Sequence, residues 1–305
     1  EGAGEDTLLL GCGCPFGPAI GIVDAMRIGP DTAPCWTPYL QDIPWATPLL
    51  RRERSIPALR NALRHALVLS PLHRKWWWND PDSLMVRDFD TRLTDAEVRA
   101  GVAVMGLTGG LLTHSDDLAR LGDDRLGLLA LCTPVLSPGG AALDSLEREM
   151  PRTYDVALGD GAGTAAHVTA LFNWSDRPAD LRLDPRALGW RAGQELHVFE
   201  LWTGEHRLHA GGQIIFGAVP AHGCRLVRTC PADGRPTLVG STFHVAMGAE
   251  VEGLTVSGSS LDLAIRDLDR LARGTLYVGL PRAPREVLIN GKPAEARRAF
   301  SGVYS

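Results

Sequence analysis

Apolar positions in the first half of the chain follow two alternating rhythms. Short continuous runs occur at Thr7–Leu10, Val23–Ile28, Lys75–Asp82 and Gly106–Thr113, the pattern of buried strands. Between them, apolar residues recur every three or four positions, as on one face of a helix. Ser55-Ile56-Pro57 predicts a helix start, with Ser as cap and Pro in the first turn; Leu59, Leu63, Ala66 and Leu67 form its buried stripe. Thr94 and Glu97 are spaced as a capping box ahead of Val98, Val102 and Met105, and Leu118–Leu131 predicts a last helix. Each strand run ends in polar or small residues: Gly11-Cys12-Gly13-Cys14-Pro15, Arg27 through Asp31, Asn79-Asp80-Pro81-Asp82, and His114-Ser115-Asp116-Asp117. Strand, polar tip and helix repeated four times predicts a parallel barrel or doubly wound sheet, with one site at the carboxyl ends of the strands.

From about Tyr154 the helical period fades. Short alternating runs separated by Gly, Asp, Pro and Asn take over, at His167–Phe172, Leu196–Leu201, Gly212–Val219 and Cys224–Thr229. They predict an antiparallel β-sandwich. Pro231–Pro236 reads as a turn or short linker, followed by strands at Thr242–Val245, Leu261–Ile265, Thr275–Val278 and Glu286–Ile289 and a hairpin turn at Asn290-Gly291. The expected organisation is an α/β domain over residues 1–150 and an all-β domain over 151–305.

Composition narrows the class. The 305 residues are 45% hydrophobic and 22% charged, with a net charge of -5, as in a globular protein with a real core. The acidic balance and scattered basic residues argue against a nucleic-acid partner. No apolar run reaches the roughly 18 residues of a membrane span, so no membrane partner is expected. The six cysteines do not space as a disulfide framework, and free thiols point to a reducing, cytoplasmic compartment. No ligand spacing for a metal is present, and neither a dinucleotide fingerprint nor a P-loop appears. No cofactor is therefore expected. The acidic start, Glu1-Gly2-Ala3-Gly4-Glu5-Asp6, without Met, reads as a truncated beginning. A homo-oligomer is left open.

Carboxylates, one arginine and several tryptophans at the strand tips suit carbohydrate chemistry, in which a proton donor and a second carboxylate cleave a glycosidic bond. Asp31 is the candidate general acid/base. Arg27, four residues before it, is the candidate substrate-holding cation. From these residues alone, a solvated Arg–Asp pair beside a turn is the commoner arrangement. Ser115 lacks a nucleophile elbow. Gly109-Gly110 has no basic partner beside it and reads as a packing site rather than a phosphate cradle. His114 reads as a solvated loop residue, and Asn173-Trp174-Ser175 fits a glycosylation acceptor, a tripeptide that also arises by chance.

The segments LLGCGCPFGPAIG, VDAMRIGPD, WWWNDPDSLMVR and LTGGLLTHSDDL occur in the order found in the melibiase-type α-galactosidases of glycoside hydrolase family 36. The chain resembles that family over residues 7–135, and the related family 27 shares the Cys-x-x-Pro, Arg-x-x-x-Asp and Trp-Asn-Asp-Pro-Asp landmarks. The region containing ELWTGE is similar to the family's C-terminal β domain. The resemblance implies the fifth to eighth strands of a (β/α)8 TIM barrel followed by an antiparallel β-sandwich, and a retaining mechanism on α-galactoside sugars. It implies Asp31 as acid/base and Arg27 as the galactose-binding arginine, with Cys12, Gly13, Cys14 and Pro15 lining the pocket. It assigns Asp80 and Asp82 to the polar end of the seventh strand, in orienting roles. Asp116 and Asp117 read as cap and first-turn acid of the last helix. The family's nucleophile lies on the fourth strand, in a Lys- and Asp-containing motif that this chain lacks. The fragment alone is therefore expected to be inactive. Two other readings remain: a non-catalytic carbohydrate-binding or structural protein on the same scaffold, and a sister enzyme acting on α-N-acetylgalactosamine or β-L-arabinopyranose.

Overall fold

In a computed structural model of the chain, residues 4, 6–136, 139–159, 165–258, 260–266 and 273–305 are described. The chain divides into two units, Glu1–Tyr154 and Asp155–Ser305.

The first unit is built on Leu10–Gly11 (β1), Ala25–Arg27 (β2) and Trp78–Asp80 (β3), a parallel sheet in the order β1-β2-β3. Leu10 pairs with Ala25, and Arg27 pairs with Asp80. Met26, Ile28, Trp77 and Ala19 of the short helix Phe16–Ala19 (α1) form a core cluster beneath the sheet. Beyond Thr47–Leu50 (α2), the helices are Leu59–Val68 (α3), Asp95–Thr108 (α4) and Asp123–Ala130 (α5). A second parallel ladder joins Ser83–Leu84 (β4) and Thr113–His114 (β5), and Ala141–Ala142 (β6) closes the unit's elements. Among the described residues these parallel strands form two separate ladders and no barrel.

Several boundaries depart from the sequence pattern. The run from Gly106 to Thr113 is not one strand: Gly106, Leu107 and Thr108 are the last turn of α4, and only Thr113–His114 is extended. The helix ends at Gly109, whose left-handed conformation (φ 69°) serves as its cap. Gly110 then passes so close to β3 that a Cβ there would lie 2.4 Å from the Asn79 carbonyl oxygen. Gly110 is a packing position, as its surroundings in the sequence suggest, and Gly109 a helix cap. Helix α3 begins at Leu59 after Ala58, not at Ser55, because Asn61 ties the preceding loop down by donating to the Glu53 and Ile56 carbonyls. The last helix is broken in two: Leu118–Arg120 is a 3-10 turn, and α5 starts only after Gly122. The Thr94–Glu97 capping box forms as spaced, with reciprocal bonds of 3.3 and 2.7 Å.

The second unit contains the β-sandwich. Its large sheet runs Thr153–Gly159 (β7), Ala165–Phe172 (β8), Cys224–Pro231 (β13), Glu195–Glu200 (β10) and His206–Ala210 (β11), the first strand crossing the boundary between units. Opposite lies the antiparallel pair Ala179–Leu183 (β9) and Ile214–Val219 (β12). Leu171, Leu183, Trp190, Leu196, Ile214 and Val227 fill the space between. A second sheet follows, ordered Thr237–Ser241 (β14), Leu276–Gly279 (β17), Val303–Tyr304 (β21) and Arg298–Phe300 (β20). Strand β14 is buried along its whole length. It presses on the outer face of the sandwich sheet, where a Cβ on Gly240 would meet the Phe199 ring at 2.5 Å. Two hairpins complete the unit: Val251–Ser257 (β15) with Ser260–Ile265 (β16), and Val287–Ile289 (β18) with Lys292–Ala294 (β19). The strand expected at Thr242–Val245 falls instead at Thr237–Ser241; residues 242–245 bend away.

Candidate active site

The site is assembled by the register of two short strands. Pairing Arg27 with Asp80 across β2 and β3 points both side chains to one face. Arg27 then meets three carboxylates through three nitrogens. Nε donates to Asp80 Oδ2 at 2.9 Å, Nη1 to Asp31 Oδ1 at 2.7 Å, and Nη2 reaches Asp82 Oδ1 at 2.9 Å. Asp80 is buried and Arg27 and Asp82 largely so, whereas the Asp31 side chain is 66% exposed.

Each acid has its own local support. Asp82 sits at φ 75°, a strained conformation for a side-chain-bearing residue. It is held there by donation of its own N–H to Asp80 Oδ1 at 2.9 Å. Its Oδ2 accepts from the N–H and hydroxyl of Thr32, at 2.6 and 3.0 Å. Asp31 follows Gly29 and Pro30, and Gly29 lies against α3: a Cβ there would stand 2.9 Å from His65 Cβ. The Asp31 carbonyl accepts the Ala58 N–H at 3.2 Å. The backbone of Asp31 is thus anchored while its carboxylate faces solvent.

Burial opposes the Arg27 charge, but the hydrogen bond to Asp80 and the fields of Asp80, Asp82 and Cys12 outweigh it, and the pKa is raised. Arg27 is permanently cationic. Three carboxylates against one guanidinium leave the cluster formally anionic, with planar groups that suit the paired hydroxyls of a sugar. Among the described residues, no group of three or more His, Cys, Asp or Glu is arranged to hold a metal ion.

The loop after β1 splits its candidates. Cys12 is exposed, and Gly13 takes φ 68°. Cys14 is half-buried, its thiol 3.7 Å from Met26 Sδ and packed on the core cluster. Asp116 does not cap the last helix. Its buried carboxylate accepts the Val86 and Arg87 N–H groups at 2.6 and 3.2 Å, closing the loop after β4. Asp117 caps the 3-10 turn by accepting from Ala119 at 3.1 Å, and His114 is exposed. In the second unit, Asn173 is buried and its amide nitrogen donates to the carbonyls of Arg177, Val219 and Pro220. That engagement removes it as a glycosylation acceptor. Thr32 was not anticipated as part of the cluster. No local motif marks it beyond its place beside Asp31.

The second unit carries the decisive likeness. Residues 153–229 match the alpha galactosidase C-terminal beta sandwich domain family. Over these residues the chain is similar to the C-terminal domain of the melibiase-type α-galactosidases. Solved structures similar to it include a β-L-arabinopyranosidase of family 27 from Geobacillus stearothermophilus, at 19% identity and TM-score 0.51, covering 70% of this chain and 46% of that one. Another is α-galactosidase I from Mortierella vinacea, at 17% identity and TM-score 0.49, covering 70% and 55%. The chain thus spans about half the length of the structures it matches. At such identities the arabinopyranosidase likeness speaks to fold. The match over residues 153–229 does not divide family 36 from family 27.

Proposed function

We propose that this chain is the C-terminal part of a retaining glycoside hydrolase that removes terminal α-galactosyl groups. On this reading, Arg27, Asp80 and Asp82 form the sugar-facing end of a half-barrel and Asp31 delivers the proton. The observation that carries it is the convergence of Asp31, Asp80 and Asp82 on Arg27 at the carboxyl ends of parallel strands, where barrel enzymes place their chemistry. The ordered landmarks around those residues and the matching β-sandwich support it.

The roles follow from charge. In a retaining mechanism two carboxyl groups lie about 5–5.5 Å apart, one attacking the anomeric carbon and one protonating the leaving oxygen. Asp31, anchored through its backbone but free at its outer face, is the donor. Arg27 Nη1 holds its carboxylate at 2.7 Å. The mechanism requires a second carboxylate opposite it. That acid is the nucleophile, contributed by chain beyond these residues. Buried Asp80 and strained Asp82 keep the guanidinium fork aimed.

In a polypeptide that includes the preceding barrel strands, Asp31→Ala is expected to abolish hydrolysis of substrates with poor leaving groups. Azide should partly restore turnover of 4-nitrophenyl α-galactoside, whose leaving group needs little protonation. An unchanged rate removes Asp31 from the role. The 305 residues alone should give no turnover of that substrate; clear turnover overturns the missing-nucleophile account. The likeness to the arabinopyranosidase favours a second reading for substrate. Equal rates on α-galactoside and β-L-arabinopyranoside would mean the pocket does not read the hydroxymethyl group that separates them.

A further inference from the structure

The second sheet of the second unit lies beyond the matched sandwich, which ends at residue 229, and the Arg27 chemistry does not use it. Its hairpin β18–β19 and the strands β20 and β21 border a cavity of about 530 Å³, well inside the range of about 300–1,000 Å³ typical of small-ligand sites. Arg285, Glu286, Glu295 and Arg298 line it together with Pro284 and Tyr304.

We propose that this cleft is a binding site for a neutral oligosaccharide. Two arginines and two glutamates sum to no net charge, so the cleft selects neither a polyanion nor a polycation. None of these four side chains has an ion pair or side-chain hydrogen bond among the described residues. Their donors and acceptors are free to meet a ligand. Planar guanidinium and carboxylate groups bond two neighbouring oxygens at once, the geometry that vicinal hydroxyls present. Tyr304 and Pro284 add apolar surface of the kind that covers a sugar ring's C–H face.

The walls are set before any ligand arrives. Asn290 and Gly291, at φ 52° and 74°, close the hairpin with Ile289 opposite Lys292. On the other side, Arg297 and Ser305 exchange two backbone hydrogen bonds of 2.8 Å each, which fixes the strand ends beside Arg298 and Tyr304. Such preorganisation lowers the ordering cost of binding. An ancillary site on this sheet would hold a polymeric substrate near a hydrolase. That purpose rests on the proposed function; the binding itself does not.

Affinity electrophoresis of the 305-residue protein in gels containing galactomannan, xylan or dextran tests the site without reading hydrolysis. At least one neutral polymer is expected to retard the protein. Arg298→Ala and Glu295→Gln, both at exposed positions, should each weaken retardation about tenfold while thermal unfolding stays unchanged. Retardation by none of the three, by heparin alone, or undiminished from the unaltered protein in both variants overturns the proposal.

Discussion

Arg27 shows how much one side chain can organise. Its guanidinium satisfies a buried acid, a strained acid and an exposed acid at once. Removing it leaves Asp80 charged and buried without its cation, a loss of the kind that costs about 3–5 kcal/mol. Arg27→Ala should therefore lower unfolding free energy by several kcal/mol in urea denaturation, and Arg27→Lys should recover little, because an ammonium cannot fork toward three carboxylates. A second residue-scale prediction concerns His197 and His206, whose ring nitrogens lie 2.9 Å apart. His206 also packs on Phe300, Phe300 on Tyr277, and Tyr277 on Phe199. Burial and then the neighbouring His197 push the His206 pKa down to about 4, and burial lowers that of His197 despite Glu195 and Asp233 nearby. A histidine held neutral in the fold takes up its proton more readily when unfolded, so stability rises with pH. Stability should be fully present above pH 6.5 and decline as pH falls toward about 4. His206→Phe should flatten that decline, as read from denaturation midpoints across the range.

At the scale of elements, small residues decide how closely neighbours approach. Gly110 lets the chain leaving α4 press on β3, and Leu111 donates to the Asn79 carbonyl at 2.7 Å. Gly110→Ala forces a Cβ against backbone that cannot yield cheaply. It should cost more than the roughly 1 kcal/mol typical of losing a helix cap. Thr94→Ala provides that benchmark, since it removes one half of the capping box. Melting temperatures of the two variants give the ranking. The box was legible in the sequence because its spacing lies within one turn. The end of α4 was not: Gly106, Leu107 and Thr108 read as strand, and the left-handed Gly109 cap together with the contact of Gly110 with β3 sets where the helix stops.

Across the whole chain, the sandwich strands show why one pattern was read well and its context was not. Strands β8, β10 and β13 are buried along most of their length. Sheets solvated on one face alternate more cleanly. The cause is the second sheet, whose strand β14 covers the outer face at Phe199. Ending the chain at Pro236 uncovers that face. The shortened protein should bind a hydrophobic dye and self-associate, which size-exclusion chromatography would show. An elution volume and dye signal unchanged from the full chain would mean the face needs no cover.

What the sequence by itself determined is local or ordered along the chain: the alternation of strand and helix, the capping box, the Asn290-Gly291 hairpin, and the succession of landmarks ending in a β-sandwich. These depend on periodicity and on turn chemistry, both carried by neighbouring residues. What the tertiary structure decided is long-range. Arg27 and Asp80 meet through strand register across 53 positions, Asp116 closes a loop 30 positions away rather than capping its own helix, and Asn173 spends its amide on carbonyls as distant as Val219 and Pro220. A carboxylate or an amide looks the same in any sequence; its role is set by which unpaired donor or acceptor the fold brings within reach.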